Sequence, residues 1–206
     1  MLTMTINTED LINSIIESLG RIDYIKPEEI PNIDLYMDQV TTLMDRKLKN
    51  TTRNPNEDKI LTKTMINNYA KNDLLPPPVK KKYTKEHVLL LIFIYYYKGI
   101  LSINDIQTLL KPITEKYFGQ DGNISLEDIY NEVFGLEEKQ VETVKNDILE
   151  KFKTSQETFE DASQEEQEFL QIFSFICQLS FDVYVKRLLI EKLVDGLKET
   201  DSTKKK

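Results

Sequence analysis

The chain has no tryptophan, one cysteine, one histidine and six glycines among its 206 residues. Each scarcity narrows what it does. A single cysteine, Cys177, makes no internal disulfide, and its place in an apolar segment agrees with a cytoplasmic protein. A single histidine, His87, opens a helix-like segment with no cysteine or second histidine beside it, so it reads as a surface or cap residue. Neither a Ser-His-Asp nor a Cys-His site has a foothold, and no metal site is expected. Glycines are too few and too scattered for a phosphate-cradling loop. The longest apolar run, 88–97, is far shorter than the roughly 20 residues that cross a bilayer. The N-terminus has no basic region, apolar core and small-residue cleavage site, so no secretory signal is read there. The expectation is a cytoplasmic protein with no membrane partner, no cofactor and no catalytic residues.

What is present describes an ordinary globular chain, 40% hydrophobic and 30% charged, with a net charge of −8. The charge is unevenly spread. Residues 1–41 carry 2 basic and 8 acidic side chains, residues 42–116 carry 14 and 7, and residues 117–206 carry 11 and 20. A basic middle between acidic flanks is what a local phosphate-facing surface requires.

Periodicity predicts helices almost throughout and no convincing β-sheet. Residues 8–19 carry Leu11, Ile12, Ile15, Ile16 and Leu19 at helical spacing, and Gly20 stops them. Residues 34–48 place Tyr36, Val40, Leu43, Met44 and Leu48 on one broad face. The polar stretch "KNTTRNPNEDK", 49–59, is a loop. Thr62 caps a short helix with Met65, Ile66 and Tyr69 inward, and the prolines 76–78 end it. Thr84 caps a helix whose run "VLLLIFIYYY" is apolar almost all round, hence central to a domain. Ser102 and Asp105 open the next in the manner of a capping box. Two helices follow, 125–134 and 136–152, separated at Gly135. Ser163 and Glu166 cap a long last helix ending near 197, and its apolar middle, 169–190, demands burial by the domain or by a partner subunit. "FGQDGNISLED", 118–128, reads as a turn and helix cap, because a calcium loop would need carboxylates where Tyr117 and Gly119 stand.

The stretch "LTKTMINNYAKNDLLPPPVKKKYTKEH", 61–87, is the chemical exception in an acidic chain. A capped short helix, Leu74-Leu75, three prolines, a lysine run, Tyr83 and a long apolar helix follow in that order, and then "SINDIQTLL". This order resembles the winged helix-turn-helix of MerR-type regulators. Leu74 and Leu75 match that family's Leu-Leu, Pro76 to Pro78 the start of its wing, and Tyr83 the wing's closing aromatic. Ser102, Ile103 and Ile106 match its last element, and Tyr69 the second tyrosine of its recognition helix. Here the wing is several residues shorter, and about ten polar residues replace the tight turn. The stretches "IDLYMDQVTTLM" and "KILTKTMINNYAKNDLLPPP" are also similar to an uncharacterised domain of unknown function from low-GC Gram-positive bacteria, over about 30–115.

The resemblance implies an all-α, helix-turn-helix DNA-binding domain at 30–116 with a short MerR-like wing. An N-terminal helix and linker (1–29) precede it, and a helical C-terminal domain (117–199) and a tail (200–206) follow. A helix at about 62–73 would enter the major groove of double-stranded DNA. Asn67, Asn68 and Thr64 would meet base edges, and Lys63, Lys71, Lys80, Lys81 and Lys82 would meet phosphates. The C-terminal half would pair two copies into a homodimer. The competing expectation is a protein-interaction adaptor on the same scaffold. The operator, the sign of regulation and any small-molecule effector are not written in these residues.

Overall fold

The computed structural model describes residues 8–19, 25–120 and 122–204. Their order is α1 (Thr8–Leu19), β1 (Leu35–Tyr36), α2 (Met37–Leu48), α3 (Lys63–Lys71), β2 (Lys82–Tyr83), α4 (Lys85–Tyr97), α5 (Ile103–Tyr117), α6 (Leu126–Gln156) and α7 (Gln164–Lys204). Short 3-10 turns sit at Pro27–Glu29 and Lys49–Thr51. The chain is mostly helical, and its described residues fall into two compact units. One takes its residues from 24–134 and 190–206, the other from 1–23 and 135–189.

The first unit is built around α4. Every side chain from Val88 to Ile94 is buried, as a helix without a polar face demands. Val40, Met44 and Leu48 of α2 join the same core, with Ile66 and Tyr69 of α3, Ile106 and Leu110 of α5, Leu126 and Tyr130 of α6, and Val194 of α7. Burying each large aliphatic side chain contributes about 1.5–3 kcal/mol. Polar ties fix the ends. The Tyr130 hydroxyl donates to the Ile25 carbonyl at 2.7 Å, and Lys198 Nζ meets Asp105 at 2.7 Å. That lysine, with the Ser102 hydroxyl, holds the Asp105 carboxyl below its usual range.

Four expectations are corrected here. A small sheet exists: β1 pairs antiparallel with β2, Leu35 opposite Tyr83 and Tyr36 opposite Lys82. Residues 35–36 are therefore strand, not the first turn of the second helix. Tyr36 is 54% exposed and leaves the apolar face assigned to it. Gly135 does not divide two helices, because α6 runs through it without a break. The helix on either side outweighs the modest penalty of about 1 kcal/mol for an interior glycine.

In the second unit, Phe175 of α7 is buried and packs edge-on against Phe152 of α6 at 5.4 Å. Lys151 of α6 bridges Asp182 of α7 at 2.7 Å. Gln171 Nε2 donates to the carbonyls of Gln156 and Thr158, closing the α6–α7 connection. Ser163 and Glu166 are hydrogen-bonded at the start of α7, as their spacing predicts. Cys177, for all its apolar neighbours in sequence, is exposed, and so is most of the apolar middle of α7. By length and composition alone α7 is long and apolar enough to cross a membrane.

Candidate nucleic-acid interface

The candidate interface would be assembled from α3 and the hairpin that follows it. The Thr62 hydroxyl accepts from the Met65 amide at 3.1 Å and starts α3 one residue later. Ile66 and Tyr69 are buried while Lys63, Thr64, Asn67, Asn68 and Lys71 are all exposed. Residues three and four apart share a helix face, so the five polar side chains form one surface opposite the buried one. The far end is pinned twice. The Leu74 and Leu75 amides donate to the Tyr69 carbonyl, and Gln107 Nε2 of α5 donates to the Asn72 carbonyl at 2.9 Å. Asp73 turns the chain away with φ +54°.

After the prolines the chain doubles back at Val79–Lys82, whose ends are joined by the Lys82 amide donating to the Val79 carbonyl at 3.0 Å. The two central residues, Lys80 and Lys81, have φ of +51° and +65°. Positive φ at both positions is what a type I′ hairpin turn requires, and Asn-Gly is its usual occupant. Two lysines hold this shape at a cost of about 1–2 kcal/mol each. Both side chains are exposed at the hairpin tip, and Lys82 lies half-buried with its Nζ 5.5 Å from the centre of the Tyr36 ring. The eight residues singled out from the sequence thus fall on two neighbouring pieces of one unit, five on α3 and three on the hairpin.

Two qualifications come from the neighbours. Lys63 forms an ion pair with Asp38 at the start of α2, so a phosphate would have to compete with that carboxylate. Both groups are largely exposed, which keeps the pair weak. Tyr36 was missed as an interface residue. Its spacing matched a helix face, and only the β1–β2 pairing sets it beside Lys82.

The hairpin is anchored through His87, which is buried, not at the surface. It does act as a cap: the Thr84 amide donates to His87 Nδ1 at 3.0 Å. Its ring meets Tyr83 and Phe118 edge-on at 5.5 and 4.7 Å. Burial pushes the imidazole below its ordinary pKa, against the opposing pull of the Pro77 and Pro76 carbonyls and of Asp34. Nε2 has no hydrogen-bond partner of good geometry. Among the described residues no group of three His, Cys, Asp or Glu is placed to hold a metal ion. At the tempting calcium-like loop the Ser125 amide and hydroxyl both donate to Asp128, at 2.9 and 2.7 Å, so that carboxylate caps α6.

The comparisons with known proteins bear on this same unit. A model of a domain of unknown function, DUF1836, matches residues 25–133. The chain belongs to the DUF1836 family. The matched residues coincide with the continuous part of the first unit, so the DUF1836 domain contains α3, the lysine hairpin and the core helix α4. No curated protein and no solved structure matches the chain.

Proposed function

We propose that this DUF1836 protein is a cytoplasmic, sequence-specific DNA-binding transcription regulator that lays α3 in the major groove. The observation that carries the reading is the joint exposure of Lys63, Thr64, Asn67, Asn68 and Lys71 on a rigidly held helix beside a lysine-tipped hairpin. Asparagine pairs bidentately with an adenine edge, and lysine meets guanine or phosphate. The element order also supports a shortened MerR-like winged helix. A strand precedes two helices, and a proline-led hairpin returns to pair with that strand before the core helix. A net positive balance confined to residues 42–116, between acidic flanks, keeps non-specific affinity low. Two copies acting together would suit a two-fold operator.

Fluorescence anisotropy with duplexes tiled across the protein's own promoter, at low and physiological salt, tests the reading. Selective binding that survives physiological salt is expected. Asn67→Ala should relax sequence preference, while Lys81→Ala should weaken all duplexes alike and flatten the salt dependence. Binding that is equal for every duplex and vanishes at physiological salt would overturn the proposal.

One observation favours the second reading, an adaptor that docks a protein. An open groove lined by Pro31, Ile33, Leu35, Thr42, Leu43 and Arg46 adjoins Asp38, the partner of Lys63. Ile33 is exposed in it.

A further inference from the structure

We infer that the open groove beside α2 takes an extended segment of a partner protein in which an acidic and a basic side chain flank an apolar one at alternate positions. The inference deepens the adaptor reading, whose groove it uses, and stands whether or not α3 reads DNA.

The two ends of the groove differ in charge. Asp38, Thr42 and Arg46 line it at intervals of four along α2, so they share one stripe of that helix. Arg46 stands about 12 Å along the axis from Asp38. It is exposed and makes no ion pair among the described residues, which leaves its planar fork open to a carboxylate. At the other end Asp38 already holds a cation, the Lys63 ammonium, in an exposed pair weak enough for an incoming base to displace. Between the charges the lining is apolar. Leu35 and Leu43 are buried there, and Pro31 and Ile33 join them from the chain before β1. Ile33 leaves 66% of its surface in water, and an apolar side chain in the groove would cover it.

Dimensions select the occupant. Over that length a volume of ≈ 390 Å³ gives a channel roughly 30 Å² in section, far too narrow for a helix about 10–12 Å across. An extended chain covers about 13 Å in four residue steps and turns every second side chain to the same face. Its first, third and fifth side chains therefore reach Arg46, the apolar lining and Asp38 together. Recognition falls to side chains. The Tyr36 amide of β1 is taken by Gln39 Oε1 at 2.8 Å, so it is not offered to an added strand. A small carboxylic acid is the poorer fit, because such ligands bury about 70–90% of their surface and this groove is open. A phosphate backbone fits worse, facing Asp38 and apolar side chains.

Selection of random dodecapeptides displayed on phage, with the full chain as bait, should enrich the acidic–apolar–basic alternation. Ile33→Asp should raise the dissociation constant of the enriched peptide, made synthetically, about 10-fold or more, with unchanged circular dichroism. Selection repeated on the Arg46→Glu chain should replace the acidic position by a basic one, a switch that a misfolded chain would not give. Peptides that bind the native, Ile33→Asp and Arg46→Glu chains equally would overturn this site and leave the adaptor reading standing. No enrichment, or Arg46-dependent NMR shifts on adding decanoate with no peptide selected, would also overturn the inference, the latter in favour of a small carboxylic acid.

Discussion

Two helices of this chain are apolar almost all round, α4 and the middle of α7, and they meet opposite fates. From Val88 to Ile94 α4 is covered on every side, whereas Phe169, Phe173, Phe181, Tyr184 and Leu189 of α7 stand open. Hydrophobic patterning therefore states that cover is needed and is silent about its source. Around α4 the cover comes from five other helices of the same unit. On α7 it comes from one side only, and the remaining face is a surface still to be used.

The contrast can be broken directly. Leu90→Ala should cost about 2–5 kcal/mol in urea denaturation, the range for cavity formation in a packed core. Leu189→Ala, at an exposed site, should cost under about 0.5 kcal/mol. Similar losses at the two sites would erase the distinction between a finished core and an open face.

The next effect belongs to the covered unit, whose core supports a strained hairpin. Replacing Lys80 and Lys81 by Asn and Gly should stabilise the fold by about 1–2 kcal/mol, because the turn would then have its preferred residues. The same change should weaken DNA binding, so stability and affinity would move in opposite directions. An unchanged melting temperature would show that the two lysines pay nothing for their left-handed backbone.

Smaller still is the effect at Gly135, where α6 passes into the second unit. An added Cβ there meets nothing within 4 Å, so Gly135→Ala should stabilise α6 by about 0.5–1 kcal/mol. A loss of stability in thermal melts would mean that the helix needs its glycine to bend.

The last prediction concerns slope alone. Burial holds the His87 pKa in the fold below its unfolded value of about 6.5. Its contribution is complete above that pH and is lost as the pH falls below it, since the unfolded chain then binds the extra proton. His87→Gln keeps an acceptor at the capping position and should flatten stability between pH 7 and pH 5. An unaltered slope would place the acid sensitivity on other groups.

Helix positions were legible because their signals are local. Thr62 and Ser102 cap where their spacing predicts, and Ser163 bonds Glu166 at the start of α7, whereas α3 ends at Lys71, short of the prolines, with Asp73 turning the chain at φ +54°. The all-round apolar run of α4 also announced its burial. The candidate polar face of α3 followed from the same periodicity. What stayed hidden was set by partners distant in sequence. Two-residue strands have no period to detect, so the β1–β2 pairing was invisible, and with it the placement of Tyr36 beside Lys82. Lys-Lys carries no turn signal of its own, so the turn was expected only from the resemblance to a short wing, and the left-handed backbone at Lys80 and Lys81 was not foreseen. Gly135 looked like a stop because its local cost is real, yet the helix on either side outweighs it.

The ties that complete the first unit have a consequence for the order in which it is made. α3 leaves the ribosome after α2 but before other groups that fix its surroundings: β2 must arrive to pair with β1, and Gln107 must arrive to hold Asn72. The Tyr130–Ile25 bond spans 105 residues, and Val194 and Lys198 close the unit from beyond residues 135–189. A nascent chain stalled at residue 134 would carry α3 without the unit's last supports. Protease sensitivity of α3 in such stalled chains should disappear only after residues 190–198 have emerged.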